Sequence, residues 1–182
     1  VVVENWADAP LALEIPWHPK HPELGTRTAY FGPTLWIDRA DFELDPPEGF
    51  FRLAPGGAVR LKYGFIVDHV DTLMVDGRVD TVVVRYDPTT RSGQDQSGRK
   101  VKGTIHWVDA ATARPATIRW YGPLFTVPDP ARFEAVAEIL NPESLLERTV
   151  LLEPALADVM PDAYMQFERV GFFKQDPDTQ AD

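Results

Sequence analysis

The chain predicts an all-β fold. Seventeen prolines and twelve glycines in 182 residues divide it into short elements, which suits strands and turns better than a helical bundle. Asp76-Gly77 stands between Thr72-Leu-Met-Val75 and Val79-Asp-Thr-Val-Val-Val-Arg-Tyr86, and this pair fits a two-residue hairpin turn because both central residues there take positive φ. Only Asp129–Leu140 carries a helical pattern.

In chain order, Val1-Val-Val-Glu-Asn-Trp6 reads as a strand already under way, and Val1 is not an initiator methionine, so a piece of a longer protein is expected. Leu11–Trp17 reads as a short strand. It runs into Trp17-His-Pro-Lys-His-Pro-Glu23, where two prolines deny ladder pairing and predict a rigid loop. His18 and His21 lack a third ligand and read as loop surface rather than a metal site. Thr34–Asp38 predicts a strand and Asp45-Pro-Pro-Glu-Gly49 a turn. Phe50–Leu53 and Val59–Val67 follow across Pro55-Gly-Gly57. In the longer run Val59, Leu61, Tyr63, Phe65 and Val67 share one face, and Arg60 and Lys62 the other. By itself that alternation describes a solvated edge.

Asp87-Pro88 closes the strand after the hairpin, and Arg91–Gly98 reads as a flexible connector. Val101, Gly103, Ile105 and Trp107 then alternate with Lys102, Thr104 and His106, which places His106 on the surface rather than as a catalytic base. Ala116–Tyr121 and Leu124–Val127 continue the β pattern. The helix reading takes Asp129 as N-cap and Pro130 as first helical residue, with Phe133, Val136, Ile139 and Leu140 as a core stripe and Asn141-Pro142 as the stop. Leu145–Leu152 and Tyr164–Phe173 supply the last strands. Within Ala163-Tyr-Met-Gln-Phe-Glu-Arg-Val-Gly-Phe-Phe173, Gln166, Glu168 and Arg169 interrupt an aromatic run. Two readings stand there, a local Glu168–Arg169 ion pair or a surface for a planar hydrogen-bonding ligand such as an unstacked RNA base.

With no cysteine there is no disulfide framework and no thiolate metal site, and an intracellular, cytoplasmic setting is expected. No apolar run reaches the roughly 18 residues of a membrane span. A net charge of −10 opposes nonspecific nucleic-acid binding. The thirds of the chain differ, however, at −4, +2 and −8. Arg99, Lys100 and Lys102 cluster in the basic middle as candidate phosphate contacts, with Arg60 and Lys62 upstream. No phosphate-binding glycine loop, dinucleotide turn or nucleophile elbow occurs, so catalysis has no visible anchor.

Five ordered stretches carry a resemblance: Trp36-Ile-Asp-Arg-Ala-Asp-Phe42, Phe51-Arg-Leu-Ala-Pro-Gly-Gly-Ala-Val-Arg-Leu61, Gly98-Arg-Lys-Val-Lys-Gly-Thr-Ile-His-Trp-Val108, Asn141-Pro-Glu-Ser-Leu145 and Gln166-Phe-Glu-Arg-Val-Gly-Phe-Phe173. Together they resemble the anticodon-binding region of glutaminyl-tRNA synthetases over residues 1 to 174. The resemblance implies two small β-barrels, ribosomal-protein-L25-like, with one short helix. It divides the chain into 27–118 as one barrel, 1–26 plus 119–175 as the other, and 176–182 as a mobile tail. The implied partner is the anticodon loop of tRNA(Gln), its three bases splayed into separate pockets. Arg52, Arg60 and Lys62 fall at the first and third bases and Pro19 and Lys20 at the middle one. Gln166 suits a uracil edge and Arg169 a base or phosphate. Bringing Gln166 and Arg169 to one base needs a twist or bulge near Gly171, and Glu168 is expected to orient an arginine.

The chain also departs from that family. An asparagine is usual where Lys20 stands, an arginine where Lys62 stands, and lysines where Gly49, Phe50 and Phe51 stand. Catalysis by a glutamine-tRNA ligase, with ATP and Mg, is implied for an upstream domain bearing a His-x-Gly-His motif and a Lys-Met-Ser-Lys-Ser-like loop, both missing here. The piece itself is expected to hold no active site, cofactor or metal, and to belong to a monomer with no membrane contact. Two other readings stay open, the equivalent region of a glutamyl-tRNA synthetase and a stand-alone β-barrel RNA-binding protein.

Overall fold

A computed structural model describes residues 1–177 except 8, 160 and 161. Thirteen strands are formed: β1 Val2–Val3, β2 Leu11–Pro16, β3 Thr26–Phe31, β4 Leu35–Trp36, β5 Ala58–Leu61, β6 Ile66–Val75, β7 Arg78–Asp87, β8 Thr104–Ile105, β9 Val108–Asp109, β10 Arg114–Tyr121, β11 Leu145–Leu152, β12 Tyr164–Phe167 and β13 Gly171–Lys174. The all-β class stands. One five-stranded sheet runs β1-β7-β6-β5-β8, and four two-stranded pairs join β2 to β3, β4 to β9, β10 to β11 and β12 to β13. Among the described residues no ladder closes a sheet into a barrel. The sheet ends on β1 and β8, each only two residues long, which is too little ladder to wrap the sheet around.

The core is built on Phe31. Its ring is fully buried and meets Trp6, Phe65, Tyr86 and Trp107 at centroid distances of 5.0–5.5 Å, a range favourable for tilted and edge-to-face aromatic pairs. Leu35, Leu53, Val59, Leu61, Val84 and Ile105 complete it, together with Val3, Leu13 and Ile15. Of residues 1–26, expected to side with 119–175, residues 1–16 contribute to the core of the central segment, and β1 pairs with β7.

Asp76 and Gly77 take φ of 49° and 73° between β6 and β7, the backbone that a two-residue primed turn requires. The expected single strand Val59–Val67 is instead two strands with a reversal between them. Leu61 N–H donates to Phe65 O at 2.8 Å and Gly64 N–H to Leu61 O at 2.8 Å, with Tyr63 at φ 59°. The reversal lets Val59 and Val67 face each other across the ladder and buries Phe65, Ile66 and Val67 consecutively. Phe50–Leu53 is loop, pinned by a bridge from Leu53 to Phe42.

The helix over Asp129–Leu140 is not formed. Two 3₁₀ turns, Pro130–Arg132 and Val136–Ile139, flank an extended Phe133 at φ −112°, ψ 129°. The cause is local competition. Asp129 holds Arg132 at 2.7 Å rather than capping, and the backbone of 139–141 bonds to 124–126, Thr126 N–H to Ile139 O at 2.9 Å and Asn141 N–H to Leu124 O at 2.8 Å. Of the stripe only Ile139 is buried, and so short a helix without a buried face is marginal. Leu124–Val127 accordingly makes a single bridge, Phe125 to Leu140, and no strand. In the expected mobile tail, Asp176 accepts from Arg119 at 2.9 Å, while residues 178–182 lie outside the described residues.

Gly103 is buried where β5 meets the segment leading to β8. A Cβ there would lie far inside van der Waals contact distance of the Phe51 carbonyl oxygen. Backbone cannot yield as a flexible side chain does, so Gly103→Ala should destabilise by roughly 1–3 kcal/mol, read as a lowered urea midpoint; an unchanged midpoint would show that the 50–53 loop moves freely.

Candidate nucleic-acid interface

The C-terminal hairpin supplies the meeting point. Phe167 O accepts from Val170 N–H at 2.9 Å, so the chain turns at 168–170 and Tyr164–Phe173 is two antiparallel strands rather than one. Arg169 sits in the turn at φ 65°, a left-handed conformation uncommon for a residue with a Cβ. The turn, not a bulge at Gly171, sets how Gln166 and Arg169 are related. Gln166 stays exposed on β12 opposite Phe172, with no side-chain hydrogen bond among the described residues.

From this turn two side chains cross to the N-terminal half. Glu168 contacts the Lys62 ammonium directly, so it orients a lysine and not an arginine. Arg169 Nη2 lies 3.5 Å from Asp41 Oδ2. Asp41 is 2 % exposed and also holds Arg52, whose Nη1 is 3.2 Å from Oδ1. Sequence reasoning missed Asp41, the one carboxylate among the described residues that joins two predicted site residues. Its neighbours explain its position. Asp38 accepts from Ala40 N–H at 2.8 Å to cap a 3₁₀ turn over Arg39–Asp41, and Leu53 N–H donates to Asp41 O at 3.0 Å. Burial raises the Asp41 carboxyl above its ordinary value, with Arg169 and Arg52 drawing it back. Burial, then the positive fields of Arg169 and Arg27, lower the Lys62 ammonium, while its Glu168 contact favours the charged form.

Below this lies Glu153, with 12 % of its side chain exposed. Arg27 donates to it twice, Nε at 2.7 Å and Nη2 at 3.1 Å, and His106 Nε2 stands 3.5 Å away. His106 is surface-facing as expected but leans on this carboxylate. Within these contacts four fixed cations, Arg27, Arg52, Lys62 and Arg169, face three carboxylates, Asp41, Glu153 and Glu168, with Asp38 close enough to Asp41 to act on it.

The other candidates divide by how many donors remain open. Arg60 gives Nη1 to Thr90 O at 2.6 Å and Nη2 to Asp95 at 2.5 Å, so the Arg91–Gly98 loop clamps it and is more than a connector. Arg99 gives both Nη atoms to Asp68 and Asp87 at 2.6–3.1 Å. Lys100 is exposed, and Lys102 Nζ lies 4.8 Å over the half-exposed Phe51 ring. Pro19 and Lys20 are exposed in the 17–25 loop. Next to them His21 Nδ1 meets Glu23 at 2.7 Å; among the described residues no group of three ligand-type side chains gathers for a metal.

Two family models match, over residues 1–87 and 104–176, and both are described as the anticodon-binding domain of class I tRNA synthetases (E and Q). The chain belongs to this anticodon-binding family. It is similar to a glutamine–tRNA ligase of Yersinia enterocolitica, 42 % identical over 97 % of this chain, and to those of Yersinia pestis and Yersinia pseudotuberculosis, each 43 % identical over the same share. The chain covers 32 % of each relative's length. Among the described residues of this anticodon-binding chain, no helix is long and apolar enough to cross a membrane.

The Glu153 contacts give a pH prediction. Burial alone would raise the carboxyl, but His106 and Arg27 overcome it and bring it from 4.5 to about 2. A folded-state value below the unfolded one stabilises above about pH 4.5 and is lost as pH falls toward 2, a contribution on the order of 3 kcal/mol. The stability gap between the native protein and Glu153→Gln should therefore be full at neutral pH and shrink through that window in urea unfolding. A gap independent of pH would overturn the assignment.

Proposed function

We propose that this chain reads the anticodon of tRNA(Gln), as the C-terminal part of a glutamine–tRNA ligase whose catalytic domain lies elsewhere in the full-length protein. ATP and Mg would serve that catalytic domain and not these residues. The observation that carries the reading is the pairing of Arg52 and Arg169 on one buried carboxylate, with about 40 % of each arginine side chain exposed, beside an exposed and unbonded Gln166. An unpaired base offers a stacking face and a free hydrogen-bonding edge. Such edges suit an amide that donates and accepts, and guanidiniums with open forks.

Under this reading Pro19 and Lys20 meet the middle base, while Arg52, Arg60 and Lys62 serve the first and third. Arg60 and Lys62 would exchange Asp95 and Glu168 for RNA on binding. Lys100 and Lys102 are better placed for phosphates than Arg99, which two aspartates already hold. We also infer that residues 27–118 form one recognition unit and residues 1–26 plus 119–175 the other, with residues 1–16 also packing into the core of the first, and that the protein acts as a cytoplasmic monomer. The partly exposed arginines on Asp41 support binding at this face despite the net −10.

The test is binding of the full-length protein to tRNA with a glutamine anticodon and to the same tRNA with one anticodon base exchanged. Arg52→Ala or Gln166→Ala should remove roughly 1–3 kcal/mol of that discrimination. Equal binding of both RNAs by the native protein would refute anticodon reading, and preference for a glutamate anticodon would assign the other specificity that the family description names. By contrast, Lys100→Ala and Lys102→Ala should weaken all tRNAs alike and reduce the slope of log K against log salt by about 1 each; an unchanged slope would remove them from the interface.

A further inference from the structure

We propose that Asp41 is the positioning residue of this site, fixing Arg52 and Arg169 as a single two-pronged reader while touching no RNA itself. The inference rests on the anticodon reading above. Asp41 is buried to 2 % exposure, and each of its two oxygens faces a different arginine. Those arginines come from distant parts of the chain, 117 positions apart (169 less 52), and nothing but this carboxylate joins their side chains among the described residues. Without it, two like-charged guanidiniums would repel and separate.

Donor counting gives the arrangement its direction. A guanidinium carries five N–H donors in a planar fork. Arg52 uses only Nη1, shared between Asp41 and Ala40 O at 2.9 Å, and Arg169 uses only Nη2. Nε and the second Nη of each therefore remain unbonded among the described residues, on side chains that are 39 % and 43 % exposed. Arg60 and Arg99, by comparison, have both Nη atoms occupied. The carboxylate itself cannot swing away. Its residue ends a capped 3₁₀ turn, its carbonyl accepts from Leu53, and the adjacent Phe42 is buried and bridged to Leu53. Holding the readers in place before binding spares the ordering of two flexible side chains at the moment of contact.

A purely structural ion pair would behave differently, since losing its carboxylate would lower stability and leave recognition unchanged. Asp41→Asn keeps the shape and removes the charge that pulls both arginines inward. In the full-length protein it should lower discrimination between the glutamine anticodon and its single-base exchange about tenfold, with the thermal midpoint within a few degrees of the native one. The same substitution in an Arg52→Ala, Arg169→Ala background should change discrimination less than twofold. A tenfold loss there too, or full discrimination by Asp41→Asn alone, would overturn the proposal.

Should Asp41→Asn fail to fold, the native carboxylate still provides a test. Single Arg52→Ala and Arg169→Ala losses should then be coupled, the double variant departing at least threefold from their product, whereas simple multiplication would overturn the proposal. Failure of the anticodon reading itself is distinguishable, because the native protein would then not discriminate at all.

Discussion

Ion pairs from the 168–170 turn tie the C-terminal hairpin to the N-terminal half of the chain. Tyr164 and Phe172 expose 80 % and 78 % of their surface, and the inward face carries the half-buried Met165, Phe167 and Phe173, with Phe173 stacked on Phe167 and against Trp120. What fixes the hairpin to the N-terminal half is Lys62 on Glu168 and Asp41 on Arg169, with Arg27 on Glu153 a little upstream. The Lys62–Glu168 and Asp41–Arg169 pairs leave Glu168 and Arg169 about half exposed and add little net stability, whereas the buried Arg27–Glu153 pair holds more strongly. A seam held this way is demanding in geometry and poor in bulk adhesion, which suits a surface that must present polar edges at set positions.

Local signals in the sequence were legible where short-range chemistry decided the outcome. Asp76-Gly77 turned as its φ requirement demands, Leu145–Leu152 formed a strand over its whole length, and the alternation about Ile105 and Trp107 matched their burial. The reading failed where a distant partner outbid the local pattern. Asp129–Leu140 carried sound helix punctuation, but its C-terminal end pairs with 124–126 instead, through the Ile139 carbonyl and the Asn141 N–H. Tyr63 and Gly64 reversed a run whose two-residue periodicity was good on both sides.

The candidate site was half visible for the same reason. Arginines, lysines and a glutamine interleaved with aromatics mark themselves by type and by likeness to a family. Asp41 carries no such mark, because one aspartate in Asp-Arg-Ala-Asp-Phe reads like any turn residue. Only a fold that brings residue 169 back to residue 41 reveals it. Asp95 and Asp87 were hidden likewise, and they turn Arg60 and Arg99 from apparently available cations into engaged ones.

The left-handed backbone of Arg169 has an implication for how this surface can evolve. A residue with a Cβ in that conformation gives up about 1–2 kcal/mol relative to glycine, so drift toward a sturdier chain favours glycine at the very position where the side chain is wanted. Under the proposed anticodon reading, selection for thermal robustness and selection for fidelity would therefore pull in opposite directions at one codon, and variants hardened against heat would be the place to look for blurred discrimination.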